Sequence, residues 1–169
     1  MIHYAITDSG GYLVAHGSGQ VAPNGAVILD SALTHPVIPR GYKYHLASST
    51  LVDVRSLDEV KAAQWEKVKA SRYRAEASGF LWDGSLFDSD KISQQRITAA
   101  AQIASLNPEF SVDWTLADNS VRSLSASDML AVCAAMGAHL NQQHATGRNL
   151  RAQIDSATNT AGVESVCWP

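Results

Sequence analysis

The sequence predicts an α+β chain: a small antiparallel β module at the N-terminus, then a helical domain of three main helices interleaved with two β-hairpins. Three observations carry this reading. The chain opens with a period-two alternation from Ile2 to Thr7, and turn residues punctuate the segment after it. The stretch Phe80–Ile97, FLWDGSLFDSDKISQQRI, reads as a two-residue hairpin followed at once by a helix start. From Met129 to Ala157, apolar or small residues recur in steps of three and four. The expected division is 1–55 as an attachment module and 56–169 as a helix–hairpin–helix–hairpin–long-helix domain.

In the first module, Ile2, Tyr4 and Ile6 alternate with His3, Ala5 and Thr7, the mark of a strand with one buried face. Asp8-Ser9-Gly10-Gly11 is turn chemistry, and Tyr12 to His16 returns as a second strand. Gly17, Gly19, Pro23 and Gly25 are expected to form a loop, and Ala26 to Leu29 a third short run. Pro36 and Pro39 interrupt regular structure nearby. Tyr42–Ala47 and Leu51–Val54 make a last hairpin across Ser48-Ser49-Thr50. Such a module buries little alone and calls for something to pack on.

In the second part, Ser56 can cap a helix from Leu57, with Glu59 in its first turn and Gly79 as its stop. Leu57, Val60, Trp65, Val68 and Ala75 lie near one face, while Lys61, Glu66, Lys67, Lys69, Arg72 and Arg74 mostly serve the wet side. Asp83-Gly84 is a type I′ signal that sets Phe80 opposite Phe87, Leu81 opposite Leu86 and Trp82 opposite Ser85. Asp90 is the N-cap of a helix through Leu106, whose spacing follows Ile92, Arg96, Ala99, Ile103 and Leu106 until Asn107-Pro108 ends it. Trp114–Ala117 and Ser120–Leu124 pair over Asp118-Asn119, with Leu116 facing Val121. Ser125 and Asp128 form a capping box for the last long helix. Its stripe, Met129, Cys133, Met136, Leu140, His144, Gly147, Leu150, Ile154 and Ala157, resembles a heptad seam weakened at His144 and Gly147. Either the helix bends there, or the polar segment lies in a cavity or at a partner. GVESVCWP is a short terminal turn burying Val163 and Val166.

Composition narrows the function classes. The chain has 169 residues, 46% of them hydrophobic and 17% charged, with a net charge of −3. That suits a globular fold with a real core and argues against nucleic acid as a partner, which requires clustered Lys and Arg. No apolar run approaches the roughly 20 residues of a membrane span, and MIHYAITDSGG lacks the pattern of a signal peptide. Cys133 sits in an apolar helical pattern, and two cysteines cannot build a disulfide scaffold.

Candidate chemistry reduces to structural roles. His139 and His144 are about 140° apart on a helix and do not converge as ligands, which leaves a solvated His139 and a seam His144. His3 and His16 could be neighbours across the first hairpin, with no acidic or thiol partner spaced with them. Asp83, Asp88 and Asp90 lack the spacing of a calcium loop, and turn and cap roles explain Asp83 and Asp90. Phe80, Trp82 and Phe87 read as hairpin core before a stacking platform. Paired carboxylates for glycan cleavage would draw on Asp83, Asp88, Asp90 and Glu109. No nucleophile, phosphate or metal motif is present. The expectation is a non-enzymatic protein with no catalytic, cofactor-binding or metal residues and no cofactor.

Several residues together resemble the DUF4376 family. They are Trp65 with Arg72; Phe80, Gly84 and Phe87; Asp90 to Ser93 with Arg96-Ile97; Trp114 with Ala117-Asp118-Asn119; Arg151, Ile154, Ala157; and Trp168. The likeness covers about residues 60–169. It implies a bacteriophage tail-fibre, tail-assembly or baseplate-region protein, located in the virion tail and made in the host cytoplasm. It further implies contacts with other tail proteins and a homo-oligomer; the family together with the exposed seam of the long helix points to a homotrimer or to attachment to a trimeric fibre. A transient tail-fibre assembly chaperone and a host receptor-binding protein are the alternatives.

Overall fold

The computed structural model describes residues 1–33, 37–38 and 40–169, so the expectation for Pro36 and Pro39 lies outside the described residues. The chain divides into two compact units, Met1–Ser56 and Leu57–Pro169.

The described strands of unit 1 are all paired antiparallel. Strands β1 (Ile2–Thr7), β2 (Leu13–Gly19) and β3 (Val27–Leu29) form a sheet in the order β2-β1-β3. Beside it, β4 (Tyr42–His45) and β5 (Thr50–Asp53) pair as a hairpin. Two expectations are corrected. Gly17 and Gly19 belong to β2 and not to a loop, paired with Tyr4 and Ile2. The reason is room: a Cβ on Gly17 would come within 2.8 Å of the Tyr4 hydroxyl, so the glycine lets that ring lie across the strand. In β1 the fully buried residue is Ala5, not one of the bulky ones: Tyr4 and Ile6 are half-buried and Ile2 is exposed. Polar turns do much of the holding. The Asp8 carboxylate takes the N–H groups of Gly10 and Tyr12 and pairs with Lys43 at 2.9 Å. Asp53 is bridged by Arg55, which holds its carboxyl down to a pKa of about 2.

Unit 2 is organised by one helix. Helix α1 (Leu57–Glu76) leads to β6 (Phe80–Trp82) and β7 (Ser85–Phe87), then to α2 (Lys91–Leu106). After β8 (Ser111–Thr115) and β9 (Val121–Ser125) comes α3 (Ala126–Ser156), then the short α4 (Thr160–Glu164). The 31-residue α3 runs through two separate cores. Its first half, Met129, Val132 and Met136, packs with Ile97 and Ala104 of α2, Phe80 and Phe87, and Leu116 and Leu124. Its second half, Leu150 and Ile154, packs with Val60 and Val68 of α1 and with Val163 and Val166. The stripe expected to be an exposed seam is therefore largely consumed inside the chain, which removes the reason for placing a threefold contact on α3.

The helix is continuous through His144 and Gly147, and the polar segment between the cores faces α1. There Glu76 Oε1 lies 3.2 Å from both Arg72 Nε and His144 Nε2. Gly147 is buried, and a Cβ on it would sit 3.3 Å from Arg72 Cδ, so its lack of a side chain makes space for the arginine stem. Arg72, assigned to the wet side from its charge, instead has only 15% of its side chain exposed.

The first hairpin has the expected register and positive φ at Asp83 and Gly84, the type I′ requirement. Two other registers differ from expectation. Of the second hairpin's turn residues only Asn119 has positive φ, and Leu116 N–H bonds the Ser120 carbonyl. The loop is thus three residues, Ala117-Asp118-Asn119, and Val121 stands opposite Thr115, not Leu116. A two-residue I′ turn would need left-handed geometry at Asp118 as well. On α2, the buried face is Ile97, Ala101 and Ala104, and the spacing Ile92, Arg96, Ala99, Ile103, Leu106 lies on the exposed side. Small residues win the core side because α3 approaches closely there.

The starts of α2 and α3 are capped as the sequence indicates. Asp90 accepts from the Ile92 and Ser93 N–H groups, and Ser125 and Asp128 complete a reciprocal box. The Ser93 hydroxyl and those two N–H groups hold the Asp90 carboxyl below its usual range, and the Ser125 hydroxyl and N–H do the same for Asp128. A folded pKa below the unfolded value, about 3.9 for Asp, stabilises above that value and is lost as pH falls through the folded one. The melting midpoint of the chain is accordingly expected to decline below about pH 4, and to decline less in Asp90→Ser, which keeps a cap without a titrating group. Melting curves from pH 7 to pH 2.5 check this; equal slopes would refute it.

Candidate functional site

Among the described residues of unit 2, three charged side chains without an internal partner meet at one place. A groove of about 340 Å³ is lined by Asp88, just after β7, Ser93 and Arg96 on α2, and Val112 to Thr115 of β8 with Leu116 and Asn119. Ser93 is committed to the Asp90 cap, whereas Asp88, Arg96 and Asp113 carry no side-chain hydrogen bond or ion pair to another described residue. Half-buried Trp114 packs on the core beneath with Val112 and Leu116 and forms part of the wall. Two carboxylates, a guanidinium, an amide and an indole can take hydrogen bonds from a polar ligand and stack on its apolar face. The volume is at the small end of ligand pockets, about 300–1,000 Å³.

The carboxylates considered for cleavage chemistry are scattered over different tasks. Asp83 makes its turn and is held by Arg122, which also lies over the Trp82 ring at 4.9 Å. Asp90 is the α2 cap. Glu109 lies in the exposed turn after α2, where its N–H bonds the Asn107 side chain. Of the four, Asp88 alone lines the groove, and its acidic neighbour there is Asp113.

The histidine roles are exchanged relative to expectation. His139 is the packed one: it lies against Phe80, with ring centroids 6.2 Å apart, and its Nε2 is 3.0 Å from the Ala75 carbonyl. His144 is about half exposed beside Glu76. The α1 backbone ends near the first and the Arg72–Glu76 pair draws the second, a distinction that helical spacing alone does not hold. His3 and His16 share one face of the sheet but are offset, His16 standing opposite Ala5 and His3 opposite Ser18. Among the described residues no three His, Cys, Asp or Glu side chains converge as a metal site. Cys133 is partly buried against the first core and Cys167 is exposed; both are free thiols. Phe80 and Phe87 stack at 5.6 Å inside the core, with Trp82 edge-on to Phe87. No described helix is long and apolar enough to cross a membrane.

Two buried polar residues escaped the sequence reading. Gln64 sits between Val60 and Val68 on the buried face of α1 and donates to the Val166 carbonyl. The four-residue spacing 60-64-68 was a usable signal for it. Ser89 is fully buried, and nothing in DSD distinguishes it from its neighbours.

These features define an α+β domain in which a long capped helix joins two cores and two hairpins rim one of them. Residues 59–166 match DUF4376, described as a domain of unknown function, and the chain belongs to that family. No curated protein and no solved structure matches the chain.

Proposed function

We propose that the chain is a non-enzymatic component of a bacteriophage tail, placed at the baseplate or fibre attachment and acting through protein–protein contacts. The family resemblance supplies the phage context. The observation that carries the contact role is the poverty of unit 1 as a free-standing fold. Ala5 and Tyr44 are its buried core side chains among the described residues, while Val14, Val21, Val27, Ile28 and Val54 are exposed. A β module with so little interior gains stability by covering those side chains with another protein. Peptide mass spectrometry of purified virions tests the reading. Stoichiometric recovery with tail proteins is expected; absence from particles whose assembly needs the gene would favour the chaperone alternative.

The groove beside Trp114 favours a second reading, receptor binding, because unpaired polar groups beside an indole suit a surface glycan. Asp113→Ala and Arg96→Ala together would then slow adsorption to host cells while leaving particle assembly intact.

A further inference from the structure

One wall of the groove beside Trp114 is the free edge of a strand. Strand β8 pairs with β9 alone, through an unbroken antiparallel register. The loop between them fixes which backbone groups face which way. Asn119 N–H bonds the Leu116 carbonyl, and Leu116 N–H bonds the Ser120 carbonyl. In an antiparallel ladder that direction repeats at every second residue. Val112, Trp114 and Leu116 therefore turn their N–H and C=O groups towards β9 and its loop, and Asp113 and Thr115 turn theirs outward. Ala117 shares the outward direction, and another strand takes its N–H: the Leu86 carbonyl of β7 lies 3.1 Å away. Strand β7 ends at the next residue, and the chain leaves through Asp88 for α2. Among the described residues nothing bonds the outward N–H and C=O groups of Asp113 and Thr115. They open on the groove, whose lining takes in every residue from Val112 to Leu116. A strand face shows alternate residues, so a consecutive run marks the backbone edge.

We infer that this edge receives an extended segment of another protein, which adds a third strand to the β8–β9 hairpin and carries a basic residue opposite Asp113. The backbone sets the shape of the occupant. A row of N–H and C=O groups at strand spacing is matched in repeat and direction by another extended chain. A glycan presents hydroxyls without that repeat. No proline, lysine or bulge blunts the edge, the devices that commonly keep other strands away.

Side chains set the charge. Val112, Trp114 and Leu116 pack on the first core, so Asp113 and Thr115 stand on the opposite face of the strand. A Lys or Arg on that face of an added strand meets the Asp113 carboxylate as a cross-strand pair. Across the groove the charges balance, one each on Asp88 and Arg96, which leaves Asp113 to decide the sign. On the inner face, the indole of half-buried Trp114 suits an apolar side chain. The inference gives the proposed contact role a place on unit 2, and rests on that reading only for the partner's being a protein. Peptide binding can hold with the protein absent from virions, and fail with the protein found in them.

The probe is a capped heptapeptide, Ac-VTVKVTV-NH2, titrated into the isotope-labelled full chain. Saturable binding is expected. Amide-exchange protection should rise at Asp113 and Thr115 and stay unchanged at Val112 and Trp114, which β9 already protects. Replacing the peptide Lys by Glu should weaken binding at least several-fold, and Asp113→Lys should reverse that preference. Only alternate peptide N–H groups face the edge. N-methylation of the Val residues and N-methylation of the Thr and Lys residues should therefore differ, one abolishing binding and the other sparing it. Thr115→Pro removes an outward N–H and leaves the β9 ladder complete, so that variant should stay folded and lose the peptide. No saturable binding, equal binding of the Lys and Glu peptides, equal effects of the two methylation patterns, or protection gained only at other amides would each overturn the inference. So would a dimer of the chain that Thr115→Pro dissolves, which would make a second copy the occupant. Tryptophan fluorescence that saturates with a host-surface glycan and not with the peptide would give the groove to the receptor reading instead.

Discussion

Phe87→Ala lowers the unfolding free energy of unit 2 by about 3–5 kcal/mol, the range for emptying a fully buried aromatic site. Phe87 is wholly inaccessible, stacks on Phe80, meets Trp82 edge-on and lies in the core shared by α2, α3 and both hairpins. Elements arrive from four directions and cannot all move in to fill the space, so the cavity term adds to the lost transfer energy. Urea unfolding followed by tryptophan fluorescence measures it, as a lower midpoint at constant slope. A loss under about 1 kcal/mol would mean that the hairpin is not part of the core. Leu81→Ser on the opposite face of the same hairpin is the control: that side chain is exposed, so its replacement should stay within about 0.5 kcal/mol.

Local signals were legible where a residue type has one dominant mechanism. Asp83-Gly84 fixed its turn, and with it the pairing of Phe80 with Phe87, because both residues must adopt positive φ and both do. Asp90 and the Ser125–Asp128 box fixed the starts of α2 and α3. What failed was the choice between faces. On α2 the bulky line at Ile92, Ile103 and Leu106 outweighed the alanine line in any hydrophobicity pattern. The alanine line is the buried one because the spacing between α2 and α3 admits small side chains. The same ambiguity hid Arg72 and exchanged His139 with His144: both questions turn on what α1 places opposite α3, which no single helix records. Asn119 shows the limit at turns, where one left-handed residue instead of two lengthens the loop and shifts the register by one. The groove was half legible. Asp88 stood out as the acidic residue without a local task, but its convergence with Arg96, Asp113 and Trp114 depends on tertiary packing.

Ser89→Ala is expected to cost about 2–3 kcal/mol, more than most single-hydroxyl deletions, because the hydroxyl serves two backbone groups at a helix end. The Ser89 Oγ donates to the Glu76 carbonyl at 2.6 Å and accepts from the Gly79 N–H at 2.8 Å. Glu76 is the last residue of α1, so its carbonyl has no partner further along the helix. Gly79, at φ +90°, turns the chain into β6, and a side chain there would meet the Phe87 carbonyl at 2.9 Å. The Ser89 carbonyl, in turn, accepts from the Gln94 side chain of α2. One small residue thereby joins the end of α1, the start of the hairpin and the first turn of α2. Alanine keeps the volume nearly unchanged and strands both groups, so any loss reports hydrogen bonding and not packing. Its neighbour supplies the contrast. Asp88 is exposed and makes no ion pair with a described residue, and Asp88→Ala should leave stability within about 0.5 kcal/mol of the parent. Amide exchange locates the effect: protection at Gly79 should fall selectively in Ser89→Ala and remain in Asp88→Ala. If Ser89→Ala were as neutral as Asp88→Ala, the α1 terminus would have to find its partners elsewhere, and Ser89 would not be the residue that joins helix to hairpin.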